Sequence, residues 1–492
     1  MITDSLKRFT RDVGWVFTSL TIAAIVQFVL RVFLARYFGP ADLGLYTLAF
    51  TVYSFGLIVS CFGTDFGITK YVAAADGNLN RINLLVTSGI SISFINGCVI
   101  GLILYLASPY ISIYFFKMPE LTALLRIVSF AFPFIGLEKA TLGFLNGVRR
   151  MRIFAFINIF QNILVIVLTI IFTLLVQDIK YAVVGLVIPV ALISLISLFF
   201  IRESLSRTNI AEYSRAVKTL LAFGFFLVLG NSMGVIQTYT DSTLLGYFMK
   251  DVDVGLYAVA VTMVLVVRLP PQAIQTITGP MIALYWGKNE IDKIQYLVNG
   301  CIKYTAFCAL LGAFVLGFLS HDLIRLFFGL DFVAAAFPFQ ILLVGAVFAA
   351  IQTSIGSALE STAYVKKQFM LTGIIALLGI ILNILLIPPF GITGAAVATS
   401  TTMAISALIR LYFTQRLIKI RIDWIWIIKL FGFTVIIATL AYGIGKFFNL
   451  YACTVLALII LIMVIQRYFL NGEDRKQIKE LLHLQLRDYI RK

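Results

Sequence analysis

Arg31, Glu138, Lys139, Asp241 and Arg268 are ionisable residues set inside long apolar runs, with Arg126 and Lys303 nearer the ends of theirs. A charge in hydrocarbon is costly, so each such residue is expected to face a cavity or a partner. Arg31 and Arg268 carry the most information. A guanidinium is always charged, and its planar fork matches the oxygens of a phosphate or carboxylate. The chemistry on offer is anion binding in a low-dielectric path. General acid-base work by histidine is excluded from the interior, because the 2 histidines, His321 and His483, lie outside the apolar runs. Arg268 is followed by Gln272 and Gln275 at i+4 and i+7, with Pro270 and Pro271 between them, a pattern expected to interrupt the helix beside a cavity.

A shift of 210 positions places Arg31 on Asp241, Gln27 on Gln237 and Ala24 on Gly234. In both copies the spacing is i, i+3, i+7, one face of a helix. A cation and an anion therefore hold equivalent places, each with a glutamine one turn away, and their polarity directs both faces to a shared axis. Two readings follow. The pair is a structural salt bridge, or it is a gate that parts when a substrate or an ion competes for either charge. On the gate reading Arg31→Asp and Asp241→Arg fail singly, and the charge swap partly restores function. Glu138 and Lys139 are adjacent, about 100° apart on a helix, so at most one of them faces a given partner. Asp65 and Lys70 fall at a span boundary, where solvation is their expected state.

The elements that must position these groups are membrane helices. Hydrophobic residues make up 61% of the chain and charged residues 13%, too little polar cover for a soluble core. The apolar runs do not alternate as barrel strands do. Runs of about twenty residues, one bilayer thickness each, fall near 13–35, 41–63, 83–108, 120–145, 154–176, 181–201, 217–246, 253–276, 299–321, 333–358, 368–388, 391–413, 424–446 and 450–468. The reading is an all-α polytopic membrane protein of about 14 helices that inserts without a cleavable signal. With the N-terminus placed in the cytoplasm, inner loops collect most of the 39 lysines and arginines, as the positive-inside rule requires. The net charge of +16 thus reports topology, and no nucleic acid is expected. Both termini are expected in the cytoplasm, in a plasma or inner membrane.

The segment from Ala35 to Phe50, ARYFGPADLGLYTLAF, returns as LGYFMKDVDVGLYAVAV from Leu245 to Val261. Arg149 and Arg150 after the fourth run are echoed by Lys366 and Lys367 after the tenth, and Gly185 by Gly394. Such periodicity marks duplication. Two pseudo-symmetric six-helix lobes are expected, related by an axis along the membrane normal, with domains 1–213 and 214–420, two extra helices in 421–470, and an amphipathic interfacial tail in 471–492. The four basic residues lie at the cytoplasmic mouth of both lobes, where they could also gather an anionic headgroup.

Machinery for other functions is missing from the sequence. Cys61, Cys98, Cys301, Cys308 and Cys453 show no disulfide framework or metal spacing. Gly443 to Lys446 is too short for a phosphate-binding loop. The outer loops are too short to hold a catalytic site. No cofactor or metal is expected, and the chain reads as a conduit, not an enzyme.

The motif Arg36, Phe38, Gly39, Pro40, Asp42, Gly44, Tyr46, with Tyr37 inserted, resembles a family pattern, as do the run LNILLIPPFGITGAA from Leu382 to Ala396 and the six-six-two layout. Together they are similar to the polysaccharide transporter branch of the multidrug/oligosaccharidyl-lipid/polysaccharide exporter superfamily. The resemblance implies a flippase that moves a polyprenyl (pyro)phosphate-linked oligosaccharide to the outer leaflet by alternating access, for surface polysaccharide or O-antigen assembly. It implies a headgroup cavity with Arg31 and Arg268, which the repeat read above would line with Gln27 and Gln237 as well. The gate or coupling role of Arg31 and Asp241 rests on that repeat. Lipid-linked glycan, membrane lipids and glycan polymerase or ligase machinery are the implied partners, and the coupling ion stays open between proton and sodium. The alternative is a cation-coupled multidrug exporter, which resembles a twelve-span form with an acid in its first helix, where this chain has Arg31.

Overall fold

The structure, a computed structural model, describes residues 2–75, 78–205, 209–360, 362, 364–445 and 450–464. The apolar runs are helices because hydrocarbon offers no partner for backbone N–H and C=O groups, which must bond within the segment. Along the first half lie α1 (Ile2–Phe38), α2 (Pro40–Cys61), α3 (Thr64–Ala73), α4 (Leu79–Pro109), α5 (Leu121–Ser129), α6 (Ala131–Gly147), α7 (Met151–Val176) and α8 (Ile179–Phe199). The second half holds α9 (Ile210–Phe248), α10 (Asp251–Gly287), α11 (Ile291–Phe318), α12 (Ser320–Phe327), α13 (Ala336–Glu360) and α14 (Val365–Ile418). Then come α15 (Trp424–Gly445) and α16 (Leu450–Val464). Among the described residues ten helices are long and apolar enough to cross a bilayer, or up to eleven with α5 and α6, bent by 42°, taken as one. The expected tail helix in 471–492 lies outside the described residues.

Two lobes arise from matching neighbour relations. In the first, α1 packs on α7, α7 on α8 and α6 on α4 and α8. In the second, α9 packs on α14, α10 on α13 and α13 on α14. α14 holds two expected spans, folded at Gly391, whose φ of +57° and ψ of −134° leave the helical region after Pro388 and Pro389. α15 and α16 pack on each other beside α11. Large apolar side chains such as Leu20, Ile95, Leu102, Leu106, Leu175 and Leu195 point outward, as a lipid-facing surface requires, while Ser88, Ser93, Thr141 and Ser194 are buried.

The second span keeps close to its expected bounds. It ends at Cys61, close to the expected residue 63, but the chain turns only through Phe62 and Gly63, with φ of +46° and +66°, and continues as the short helix α3. Asp65 and Lys70 therefore lie on the short helix α3, where Lys70 is exposed. The end of a helix leaves its last carbonyls without intrahelical donors. The Asn96 amide of α4 donates to Val59 O at 2.7 Å and Ser60 O at 2.8 Å, and Thr64 Oγ1 donates to Cys61 O at 2.6 Å. Asn96→Leu leaves both carbonyls bare and is expected to destabilise the protein by about 2–3 kcal/mol, read as a lower thermal midpoint in detergent. An unchanged midpoint would show that the turn is held by other means. Pro270 and Pro271 do not end their helix: α10 continues through them from Asp251 to Gly287, although each removes one backbone N–H from the ladder.

Candidate functional site

A cavity of about 220 Å³ lies inside the first lobe, walled by α1, α2, α6, α7 and α8. Gln27 and Arg31 enter from α1, Lys139 from α6, and Asn158, Gln161 and Asn162 from α7. Arg31 reaches from it to the second lobe. Its Nη1 donates to Thr262 Oγ1 of α10 at 2.9 Å and to Ala258 O at 3.4 Å. Behind Lys139 lies Glu138, fully buried. The Glu138 carboxylate accepts from Lys139 Nζ at 3.3 Å and from Gln161 Nε2 at 2.7 Å. Adjacent residues thus pair with each other here, and the pair leaves the cavity with one net positive charge, that of Arg31.

The second lobe has a smaller counterpart of about 30 Å³, lined by Gln237, Thr240 and Asp241 of α9 and by Asn383, Thr399 and Thr402 of α14. Asp241 accepts from Tyr257 OH at 2.7 Å, from Ser242 N at 2.7 Å and from Thr399 Oγ1 at 3.4 Å. Asn383 spends its amide nitrogen on Gly379 O at 2.8 Å, and its Oδ1 is buried without a partner among the described residues.

Arg31 and Asp241 are therefore not joined as an ion pair. Each polar face turns into the cavity of its own lobe, because α1 packs on α7 and α9 on α14. The equivalence of the two positions holds, as does that of Gln27 and Gln237. Arg268 lies on α10 six residues beyond Thr262, about 9 Å along the axis. It is half-buried and makes no hydrogen bond or ion pair among the described residues. Arg149 and Arg150 are exposed, and Lys367 Nζ lies 5.4 Å from the Tyr364 ring. The Lys366 side chain lies outside the described residues.

The lobes meet most tightly at the end that carries the duplicated motif. A Cβ on Gly44 would fall 1.9 Å from Asp251 O, and a Cβ on Gly255 would fall 1.9 Å from Pro40 O. The repeated glycines are thus the places where α2 and α10 cross in backbone contact. Arg36 adds a clamp, donating from Nε to Phe327 O at 2.7 Å and from Nη2 to Leu326 O, at the C-terminal end of α12. The Tyr247 and Phe115 rings lie 5.0 Å apart, tilted by 46°. At the opposite, basic end the two seams differ. Gly224 of α9 rests on Phe62 O, and Lys70 Nζ sits 4.1 Å over the Phe223 ring. A Cβ on Gly14, 210 residues earlier than Gly224, would meet nothing within 4 Å among the described residues.

Several lining residues escaped the sequence reading, namely Tyr46, Tyr53, Asn158, Gln161, Asn162, Tyr257, Asn383 and Thr399. A signal existed for the α7 group, since positions 158, 161 and 162 are i, i+3, i+4, a polar stripe in an apolar span. Arg410 was also missed. It is buried in α14 and donates from Nη2 to Thr372 Oγ1 at 2.9 Å.

Comparison with known proteins agrees with this architecture. The chain is 24% identical over 256 residues to the probable low-salt glycan biosynthesis flippase Agl15 of Haloferax volcanii, a match that spans 49% of this chain and about half, 54%, of that protein. It is 20% identical over 397 residues to a putative O-antigen transporter of Shigella flexneri, covering 79% of this chain and 93% of the other. Among solved structures, the lipid II flippase MurJ in its inward closed conformation superposes with a TM-score of 0.75 at 18% identity, over 93% of this chain and all of that one. The MatE profile matches residues 227–385. The profile described as polysaccharide biosynthesis protein matches residues 9–284, more than half of the chain. The chain belongs to that family, the polysaccharide flippase branch of the multidrug/oligosaccharidyl-lipid/polysaccharide exporter superfamily.

Proposed function

We propose that this protein flips a polyprenyl (pyro)phosphate-linked oligosaccharide from the cytoplasmic to the outer leaflet of the plasma or inner membrane. The observation that carries the reading is an Arg268 without a partner among the described residues and a cavity-facing Arg31 in a two-lobed membrane bundle. An anion is the ligand such cations can compensate, and a diphosphate brings about two charges where one is already costly. The glycan needs a polar cavity, and the polyprenyl tail can stay in lipid. Names of relatives support the same substrate class, since they include a glycan biosynthesis flippase and an O-antigen transporter.

In this scheme the motif end faces outward and both termini lie in the cytoplasm. Residues 1–213 and 214–420 move against each other, and 421–470 flanks them. Arg149, Arg150, Lys366 and Lys367 gather the headgroup at the cytoplasmic mouth. Arg31 lets go of Thr262 when phosphate arrives, which frees the lobes to part, and Gln27 and Gln237 bond the incoming headgroup. Asp241, which shares its cavity with Asn383, is the coupling group for a proton or a small cation. The activity is transport, not catalysis. Glycan polymerase or ligase machinery receives the flipped product.

Deleting the gene in its native host tests the reading. Lipid-linked glycan should accumulate on the cytoplasmic leaflet while its synthesis continues. Unchanged glycan pools with a new sensitivity to small cationic compounds would favour an exporter instead.

A further inference from the structure

The two halves share a second duplication near their motif ends. The segment SPYISIYFF, Ser108 to Phe116, returns 212 positions later as SHDLIRLFF, Ser320 to Phe328. Both copies close a helical segment in the same way. Phe115 is the last residue of the π-helical segment Tyr110–Phe115 and Phe116 caps it, while Phe327 is the last residue of α12 and Phe328 caps it. Phe116 and Phe328 are both buried, as are Ser108 and Ser320. A repeat that keeps its burial as well as its residues marks one structural part used twice.

Each phenylalanine pair grips the first helix of the other lobe. Phe28 of α1, in the first lobe, meets Phe327 and Phe328 of the second edge to face, with ring centroids 5.5 and 6.2 Å apart. Two turns further along α1, Arg36 donates to the carbonyls of Phe327 and Leu326. Tyr247 of α9, in the second lobe, lies 5.0 Å from Phe115 of the first, and a Cβ on Gly246 would fall 2.9 Å from the Phe116 ring. The shift of 210 positions sets Arg36 on Gly246 and Tyr37 on Tyr247, so the two contacts hold equivalent places in the repeat. The gripped helices are those that carry the cavity charges. Arg31 stands five residues before Arg36 and Asp241 six before Tyr247, about 8 and 9 Å along their helices.

We propose that these contacts are two reciprocal clasps that hold the motif end shut, each lobe gripping the other's first helix by its phenylalanine pair. Releasing one clasp frees the helix it held, and with it the wall of the cavity that this helix lines. A single rigid seam would open both cavities together, whereas two clasps on two helices let α1 and α9 leave one at a time. Aromatic pairs are weak singly, so a clasp of this kind can be released where the backbone crossing at Gly44 and Gly255 is dense. The device rests on the alternating movement of the lobes in the reading above and not on the cargo.

The test is labelling of a single cysteine, at Gln27 or at Gln237, in the full chain with its native cysteines replaced by serine. The protein sits in right-side-out vesicles, and an impermeant thiol reagent is added outside. Arg36→Ala with Phe327→Ala loosens the first clasp, and Phe115→Ala with Tyr247→Ala the second; none of the four side chains is buried. The first pair should raise labelling at position 27 about fivefold and leave position 237 within about twofold, and the second pair should do the reverse, as loss of one or two aromatic contacts would shift a two-state equilibrium. Arg36→Ala and Tyr247→Ala alone should give the same signs at about twofold, which keeps the test decisive where a pair unfolds in detergent. No rise at either position, or an equal rise at both from one loosened clasp, overturns the device. These measurements need no glycan, so their failure leaves the flippase reading to the deletion experiment, and failure of that experiment leaves the clasps standing.

Discussion

Gly44→Val should abolish transport and leave the protein open at its motif end. Even one methyl group at this position would lie 1.9 Å from Asp251 O and 2.7 Å from the Asp251 carbonyl carbon, both backbone atoms that no rotamer change can clear. The closed arrangement therefore bears the full clash, and an arrangement with α2 and α10 apart bears none. Overpacking costs about 3 kcal/mol at such a contact, and a cost confined to one state shifts the population about 100-fold toward the other. Gly255→Val should act alike, because Pro40 O stands over it at the same distance. A cysteine placed at Gln27 and probed with an impermeant thiol reagent checks both. Labelling from the outer side should rise in either variant, and labelling equal to that of the unmutated background would refute the glycine crossing as a gate. Arg36→Ala, which removes a clamp on carbonyls of α12 without adding bulk, should raise labelling less.

Arg268→Ala should lower glycan delivery about 100-fold while expression and membrane insertion persist. The estimate follows from the about 2–5 kcal/mol lost when one member of a desolvated charge pair is removed, the other member here being the substrate anion. Arg268→Lys should fall between the two, since a point charge replaces a fork. Delivery near the wild-type rate in Arg268→Ala would take this residue out of the mechanism. Arg31→Asp and Asp241→Arg should each fail as well. The double charge swap should fail with them, because the two side chains serve separate cavities: Arg31 bonds Thr262, and Asp241 bonds Tyr257 and Thr399. Partial recovery in the swap would show that the two charges meet in another conformation.

The spans and the duplication were legible because hydrophobic length and period are local properties. Arg31 and Asp241 were equally legible as exceptions in apolar helices, and the shift of 210 positions related them correctly. Their partners were not. A repeat states that two helices share a face but not the direction in which it points, and rotating α1 and α9 about their axes changes no sequence feature. The continuation of the chain as α3 beyond Phe62 and Gly63 was hidden for a related reason: the donor to the last carbonyls of α2, Asn96, belongs to another helix.

The sequence by itself determined a membrane protein of duplicated halves, the places of its costly charges and the glycine motif at one end. Only the tertiary structure decided that those glycines are the crossing of the lobes, that Arg31 and Asp241 look into separate cavities, and that α7 lines one of them with the amides of Asn158, Gln161 and Asn162. The physical reason is that composition and spacing fix what a segment must bury, whereas which neighbour buries it depends on helix rotation and close packing between segments far apart in the chain.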